Sequence, residues 1–353
     1  MNLVDYLQIN QEKTFKEVPF NEIDALILSL MGYFPFDLID KKKITTRDVL
    51  KFLETYEPVN TSERKLKDIY ILHTLCSCKR FEGIKFLDFA KRRDGDTVEQ
   101  FQAVTIEFNK HLFVSFCGTD ATVLGWREDF NMSFLDTVPS EVDAIEYINN
   151  QRKKHPFKKI YIGGHSKGGR LAIRAAKELY KKNTLEAVFS FDGPNFTDTF
   201  YDEEYDEMKS LVYEYAPSES IIGRLISDRK KIIVQSTAKG IFQHDGYTWE
   251  VEDDHFVHLD NYTAKSDKIA KISKSLLEDV DMETKQVFVN TLFDLLNNLN
   301  ITEFRDDAYN IALVKNALSN VRIEWKNTPK EHRKILLKVL FMVLLIAIKP
   351  SNQ

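Results

Sequence analysis

Along the first 80 residues apolar side chains recur every three or four positions, as in Ile23, Leu26, Ile27 and Leu30, and again in Val49, Leu50, Leu53 and Tyr56. That is the period of helices with one buried face. Thr45 followed by Asp48 fits a capping box ahead of the second helix. From about Gly83 the pattern shifts to short runs rich in Phe, Val and Ile: Ile84 to Phe89, Phe101 to Phe108 and Leu112 to Phe116. The turn-forming Asp94-Gly95-Asp96 and Asn109-Lys110 separate them, so these runs read as strands and the last two as a hairpin.

An alternation of strand and helix follows. Ser140, after Pro139, is placed to cap a helix through about Lys154; Lys158 to Ile162 is a short apolar strand; Gly168 to Lys181 has helical spacing through Leu171, Ala172, Ala175, Ala176 and Leu179. Ala187 to Phe191, Leu211 to Tyr215 and Lys231 to Val234 are three further apolar runs. Repeated strand, helix, strand predicts an α/β fold with a mainly parallel sheet covered by helices. From about Thr263 the pattern is helical again, as in Val287, Leu292, Leu295 and Leu296. The expected organisation is an N-terminal helical segment over residues 1–80, an α/β core over 81–262 and a C-terminal helical segment over 263–353.

Composition narrows the function classes. Hydrophobic residues make up 43% and charged residues 29% of 353, with only 13 Gly and 9 Pro, enough apolar content to bury a core and fold as a soluble globule. Forty-nine Lys and Arg against 54 Asp and Glu give a net charge of -5, which argues against nucleic acid as a partner. Cys76, Cys78 and Cys117 are too few for a disulfide framework or a four-thiolate zinc site, and are expected as reduced thiols. Met1 to Lys13 lacks the basic start and unbroken apolar run of a secretory signal, so a cytoplasmic location is expected. The longest apolar stretch, Ile335 to Ile348, contains Lys338 and is shorter than the roughly 20 residues that cross a bilayer. It reads as a buried C-terminal helix, with a helix lying at a membrane surface as the alternative.

The chemistry is carried by Gly164-His165-Ser166-Lys167-Gly168, a G-x-S-x-G pattern between an expected strand and an expected helix. Glycines two residues to either side let strand and helix approach, so that Ser166 stands on a strained turn at a helix N-terminus. There the amide of Lys167 can face a developing oxyanion. A serine nucleophile needs a histidine base and an acid, expected later in the chain. His165 is expected to point away from Ser166 into the sheet flank, and His73, His111, His155 and His332 read as surface or packing histidines. In Gln243-His244-Asp245-Gly246, His244 follows the last strand on a loop and is the first choice for the base, with His258 and His255 as alternatives. For the acid, Asp192 stands at the carboxyl end of the strand after the elbow helix, in Ser190-Phe191-Asp192-Gly193-Pro194; Glu219 and then Asp228 are its competitors. The second oxyanion donor is expected at Thr119, in Phe116-Cys117-Gly118-Thr119-Asp120. Trp126, Glu128, Asp129 and Asn131, just beyond, either line the cleft or brace its loop.

These residues resemble class-3 lipases, in which a strand ending in F-R-G-T precedes an elbow reading G-H-S-L-G-G. They resemble still more a bacterial family of lipase-like α/β-hydrolases whose domain is of unknown function. The matching stretches are Phe116 to Phe134, Tyr161 to Ala176, Ser190 to Phe196, Tyr215 to Gly223 and Gln235 to Val251, about half of the chain. The resemblance implies an α/β-hydrolase fold, a nucleophile at Ser166, Thr119 at the oxyanion hole and ester hydrolysis. The closer family keeps the aspartate of S-F-D-G-P and the histidine of Q-H-D, which supports Asp192 and His244, whereas class-3 lipases take their acid from after a later strand, which keeps Glu219 open. Cys117 stands where the lipases have Arg and Lys167 where they have Leu, which implies a more polar environment around Ser166 than a triglyceride lipase provides.

The expected activity is cleavage of a carboxylic ester or thioester of a small-molecule acyl substrate through an acyl-enzyme, chemistry that needs no metal or organic cofactor. The alternatives are a catalytically silent α/β-hydrolase that binds a ligand or protein, and a lipase that docks on a membrane surface through the C-terminal apolar helix.

Overall fold

The computed structural model describes residues 1–41, 43–58, 63–120, 122–180 and 183–278, and beyond them 281–283, 285–286, 289–290 and 293. Among the described residues eleven strands are formed, β1 Ile44–Thr45, β2 Lys85–Asp94, β3 Glu99–Phe108, β4 His111–Phe116, β5 Ile160–His165, β6 Leu185–Phe191, β7 Val212–Pro217, β8 Ile232–Val234, β9 Val251–Glu252, β10 His255–Phe256 and β11 His258–Leu259. Nine belong to one sheet, ordered β1-β2-β3-β4-β5-β6-β7-β8-β11. From β4 to β8 every pairing is parallel, while β1, β2 and β3 at one edge and β11 at the other pair antiparallel. Asn109 and Lys110 both take positive φ, 41° and 69°, as a two-residue hairpin turn between β3 and β4 requires. A mainly parallel sheet covered by helices is what the strand and helix alternation predicts, and it is the α/β-hydrolase fold that the resemblance implies.

The helices are α1 Leu3–Asn10, α2 Glu22–Leu30, α3 Thr46–Leu53, α4 Glu63–Ser77, α5 Val123–Met132, α6 Pro139–Lys154, α7 Lys167–Tyr180, α8 Glu203–Met208 and α9 Ala264–Glu278. Because β4 to β8 run parallel in sequential order, right-handed crossovers must all lie on one face. There Ala144 and Ile148 of α6, Leu171, Ala172 and Ala175 of α7 and Met208 of α8 bury against Ala103, Leu112, Val114, Ile162 and Val188 of the sheet. Nothing in that winding covers the other face. The N-terminal segment does: Leu3 and Leu7 of α1, Leu26 and Ile27 of α2 and Leu72 and Leu75 of α4 share a second core with Val104, Ile106, Phe113, Phe189 and Phe191. Eight of the nine residues of α2 are buried. The described helices of the N-terminal segment thus form a layer on that face of the sheet. With both faces covered, β3 is apolar on both sides, as buried strands are.

Thr45 caps α3 with Asp48 in a reciprocal box. The start of α6 differs from expectation. The helix begins at Pro139, whose missing N–H costs nothing at that position. Ser140 lies inside the first turn, its N–H donating to Glu128 Oε1 at 2.9 Å, and Glu141 accepts from the Val138 N–H at 3.3 Å. In the C-terminal segment α9 is present, and Val289 and Phe293 bury against Val123 and Phe134. Val287, Leu292, Leu295, Leu296, His332 and the Ile335 to Ile348 stretch lie outside the described residues. Among those described, no helix is long and apolar enough to cross a membrane.

Candidate active site

β5 ends where α7 begins, and Ser166 occupies the joint with φ of +58°. A side chain at positive φ is strained, and here neighbours enforce it. The Ser166 N–H donates to Phe191 O at 2.9 Å, and the Ser166 carbonyl accepts from the Gly169 N–H at 2.9 Å. The flanking glycines are sterically obligatory. A Cβ on Gly164 would stand 2.2 Å from the carbonyl of Gly168, and one on Gly168 would stand 2.1 Å from Phe116 O. The two residues of the G-x-S-x-G pattern thus touch each other and the end of β4.

His244 closes a short 3-10 turn over Gly240–His244, after β8. The Glu219 carboxylate accepts from the Gly240 N–H, Gln243 Oε1 accepts from the Glu219 N–H at 2.8 Å, and Trp249 Nε1 donates to Gln243 O at 2.7 Å. The ring comes to rest with Nδ1 2.6 Å from Asp192 Oδ2. Asp192 is fully buried at the end of β6 with φ of +50°, and its N–H donates to Tyr215 O at 2.8 Å. Its other oxygen, Oδ1, accepts from Ser220 Oγ at 2.5 Å and from the Gly223 N–H at 3.1 Å, so the carboxylate cannot rotate freely. An acid on Nδ1 puts the proton there and leaves Nε2 as the basic nitrogen. Among the described residues, the Ser166 hydroxyl forms no hydrogen bond with that ring.

The competing residues stand elsewhere. Glu219 braces the turn that carries His244, and Asp228 pairs with Arg224 at 2.7 Å. His255 and His258 are half exposed, the first beside Asp254 at 3.5 Å and the second beside Glu22 at 3.4 Å.

Thr119 follows β4, and its hydroxyl donates to Asp129 Oδ2. Burial pushes the Asp129 acid up to about 6. Lys167 departs from expectation. Its ammonium is 1% exposed and donates to Gln100 O at 2.7 Å, Gln100 Oε1 at 2.6 Å and Glu128 Oε2 at 3.0 Å. That charge is consumed in a buried network and does not make the cleft polar. Glu128, fully buried, also accepts from the Gln100 and Ser140 N–H groups, so it braces the loop. Asn131 is buried on the same helix, and Trp126 is half-buried against the Val289 and Phe293 cluster. All three cysteines are buried free thiols, and burial pushes Cys117 up to about 12. Among the described residues no cluster of His, Cys, Asp and Glu is arranged to hold a metal ion.

Residues 75–294 match the family model described as Mbeg1-like. The chain belongs to the Mbeg1-like family. No curated protein matches it. Among solved structures it is similar to the Rhizomucor miehei lipase propeptide complex, at 15% identity and TM-score 0.40 over 61% of this chain and 67% of that one. It is similar also to lipase II from Rhizopus niveus, at 12% and 0.38 over 67% and 81%. A third, described as a fungal lipase, gives 12% and 0.43 over 69% and 87%.

In this Mbeg1-like chain the contacts of His165, expected to point away from Ser166 into the sheet flank, escaped sequence reasoning. Its ring is buried 4.5 Å, centroid to centroid, from that of His244, with Nε2 2.6 Å from His244 O and Nδ1 3.0 Å from Tyr33 Oη. The partners lie 79 and 132 positions away in sequence. A histidine between the elbow glycine and serine was the only local signal.

Proposed function

We propose that this chain is a serine hydrolase that cleaves a small-molecule carboxylic ester or thioester. Ser166 Oγ attacks the acyl carbon while His244 Nε2 takes its proton, and Asp192 holds the imidazole in the Nδ1–H tautomer and balances its charge. The main-chain amides of Lys167 and Thr119 bind the oxyanion. Collapse expels the alcohol or thiol, which takes the proton from His244, and water releases the acid by the same steps in reverse. The observation that carries the reading is the 2.6 Å bond between His244 and a fully buried Asp192, on the strand end beside a serine held at positive φ.

Ser166→Ala is expected to lower ester turnover by roughly 10³- to 10⁶-fold with the melting temperature little changed, as loss of a nucleophile does. Glu219→Gln is expected to act less than tenfold, because Glu219 touches the turn and not the ring. The rival reading is a catalytically silent binding module, since the same fold carries many functions. A fluorophosphonate separates the two: labelling at Ser166 that His244→Ala abolishes supports the enzyme, and no labelling between pH 6 and 9 supports the binder.

A further inference from the structure

The position of the His244 main chain depends on a contact that the proposed reaction does not name. His244 O can only accept, so the His165 nitrogen 2.6 Å away, Nε2, must carry a hydrogen. A neutral imidazole protonated at Nε2 accepts at Nδ1, and there Tyr33 Oη donates over 3.0 Å. Tyr33 lies between α2 and the sheet, before the region the family model matches. Its hydroxyl is wedged against Gly118 in the loop proposed for the oxyanion, where a Cβ would meet it at 2.1 Å.

We propose that Tyr33 is a positioning residue for the base: its hydroxyl fixes His165 as the Nε2–H tautomer, and His165 in turn pins the carbonyl of His244 so that Asp192 sets the ring plane. The inference rests on the hydrolase reading. Both members of this chain keep their form across the working pH range. Burial holds the Tyr33 hydroxyl protonated far above the usual tyrosine range. Burial pushes His165 well below the usual histidine range. Without the Tyr33 donor, the Nδ1–H tautomer of His165 becomes competitive, and its Nε2 lone pair would then face the His244 carbonyl oxygen. That contact is repulsive, and the turn carrying His244 loses an anchor. The Arg64 guanidinium, 5.4 Å over the Tyr33 ring and 3.9 Å from Asp245, supports the same arrangement from α4.

A double-mutant cycle in the full chain tests this, read as the rate of Ser166 phosphonylation by a fluorophosphonate and as kcat and KM on p-nitrophenyl butyrate. Tyr33→Phe is expected to lower the labelling rate and kcat by about tenfold, with KM within about twofold, the scale of one lost hydrogen bond. His165→Gln puts an amide N–H where Nε2–H stands, and in that background Tyr33→Phe is expected to change the rate less than about twofold. An equal loss in both backgrounds, or a loss carried by KM, overturns the proposal in favour of simple packing. Nitrogen-15 imidazole spectra give a readout without turnover: His165 wholly Nε2–H in the wild type and a mixture of tautomers in Tyr33→Phe. An unchanged tautomer in that variant also overturns it. A wild-type chain that neither labels nor hydrolyses, yet shows the tautomer change, instead overturns the hydrolase reading and keeps the hydrogen-bonded chain.

Discussion

The two faces of the sheet are covered by different means. On one, α6, α7 and α8 are the crossovers themselves, so the chain that links the strands also shields them. On the other, α1, α2 and α4 come from the first 77 residues and pack against strands made later. Each layer has its own fully buried ion pair. Arg170 of α7 donates to Glu141 of α6 at 2.7 Å, and Arg80, just past α4, donates to both oxygens of Asp24 in α2 at 2.7 and 2.5 Å. The site draws on both: the crossover layer presents Ser166 through chain connectivity, while the N-terminal layer reaches the His244 loop through side chains, with Tyr247 Oη donating to Asp68 of α4 at 2.8 Å. Covering by connectivity and covering by recruitment thus give equivalent burial but different routes to function.

The strongest way to break that equivalence is to strip one carboxylate from each layer. Asp24→Asn and Glu141→Gln each leave a buried arginine without its counter-charge, and each is expected to cost about 3–5 kcal/mol in urea unfolding. Both should act on one cooperative transition. A separate early transition in Asp24→Asn alone would show that the N-terminal layer folds as an appendage. Smaller, and free of charge effects, is the pair Leu26→Ala and Leu171→Ala. Both side chains are fully buried, one in each layer, and each truncation is expected to cost about 3 kcal/mol. A cost under about 1 kcal/mol at Leu26 would show that its layer is loosely packed. The smallest effect probes Asp129 of α5, which accepts from Thr119 in the loop after β4. Folding raises Asp129 from the ordinary carboxyl range to about 6. The folded chain therefore binds a proton that the unfolded chain releases between about pH 4 and 6. That stabilisation is complete below the window and is lost as pH rises through about 6. Asp129→Asn cannot ionise, so its unfolding free energy relative to the parent, read from urea titrations, is expected to improve by roughly 1 kcal/mol between pH 5 and 7.5. A difference that stays flat with pH would place Asp129 in contact with water.

Much of this was legible one segment at a time. The apolar runs at Phe101 to Phe108 and Ala187 to Phe191 are strands because nothing but a buried sheet suits them, and the glycines around Ser166 mark a turn that admits no Cβ. The Thr45 and Asp48 cap was readable because its partners are three residues apart. What resisted reading were choices made across long separations. Periodicity shows that α2 has apolar residues but cannot show that β4 to β6 await them. Lys167, next to the nucleophile, looked like part of the cleft, yet the energetic demand of a buried Glu128 draws its ammonium inward. The two-residue strands β1 and β11 carry no period of their own and exist because a neighbouring edge offers hydrogen bonds.

Recruiting the first helices to cover later strands has a consequence during synthesis. A ribosome releases the wholly apolar Ala25-Leu26-Ile27-Leu28 stretch well before the strands that will receive it have emerged. The nascent chain must keep that segment from sticking to anything else for the time it takes to translate more than a hundred codons, roughly 10 s at ordinary elongation rates. Slowing translation before residue 185 should therefore raise misfolding more than slowing it afterwards.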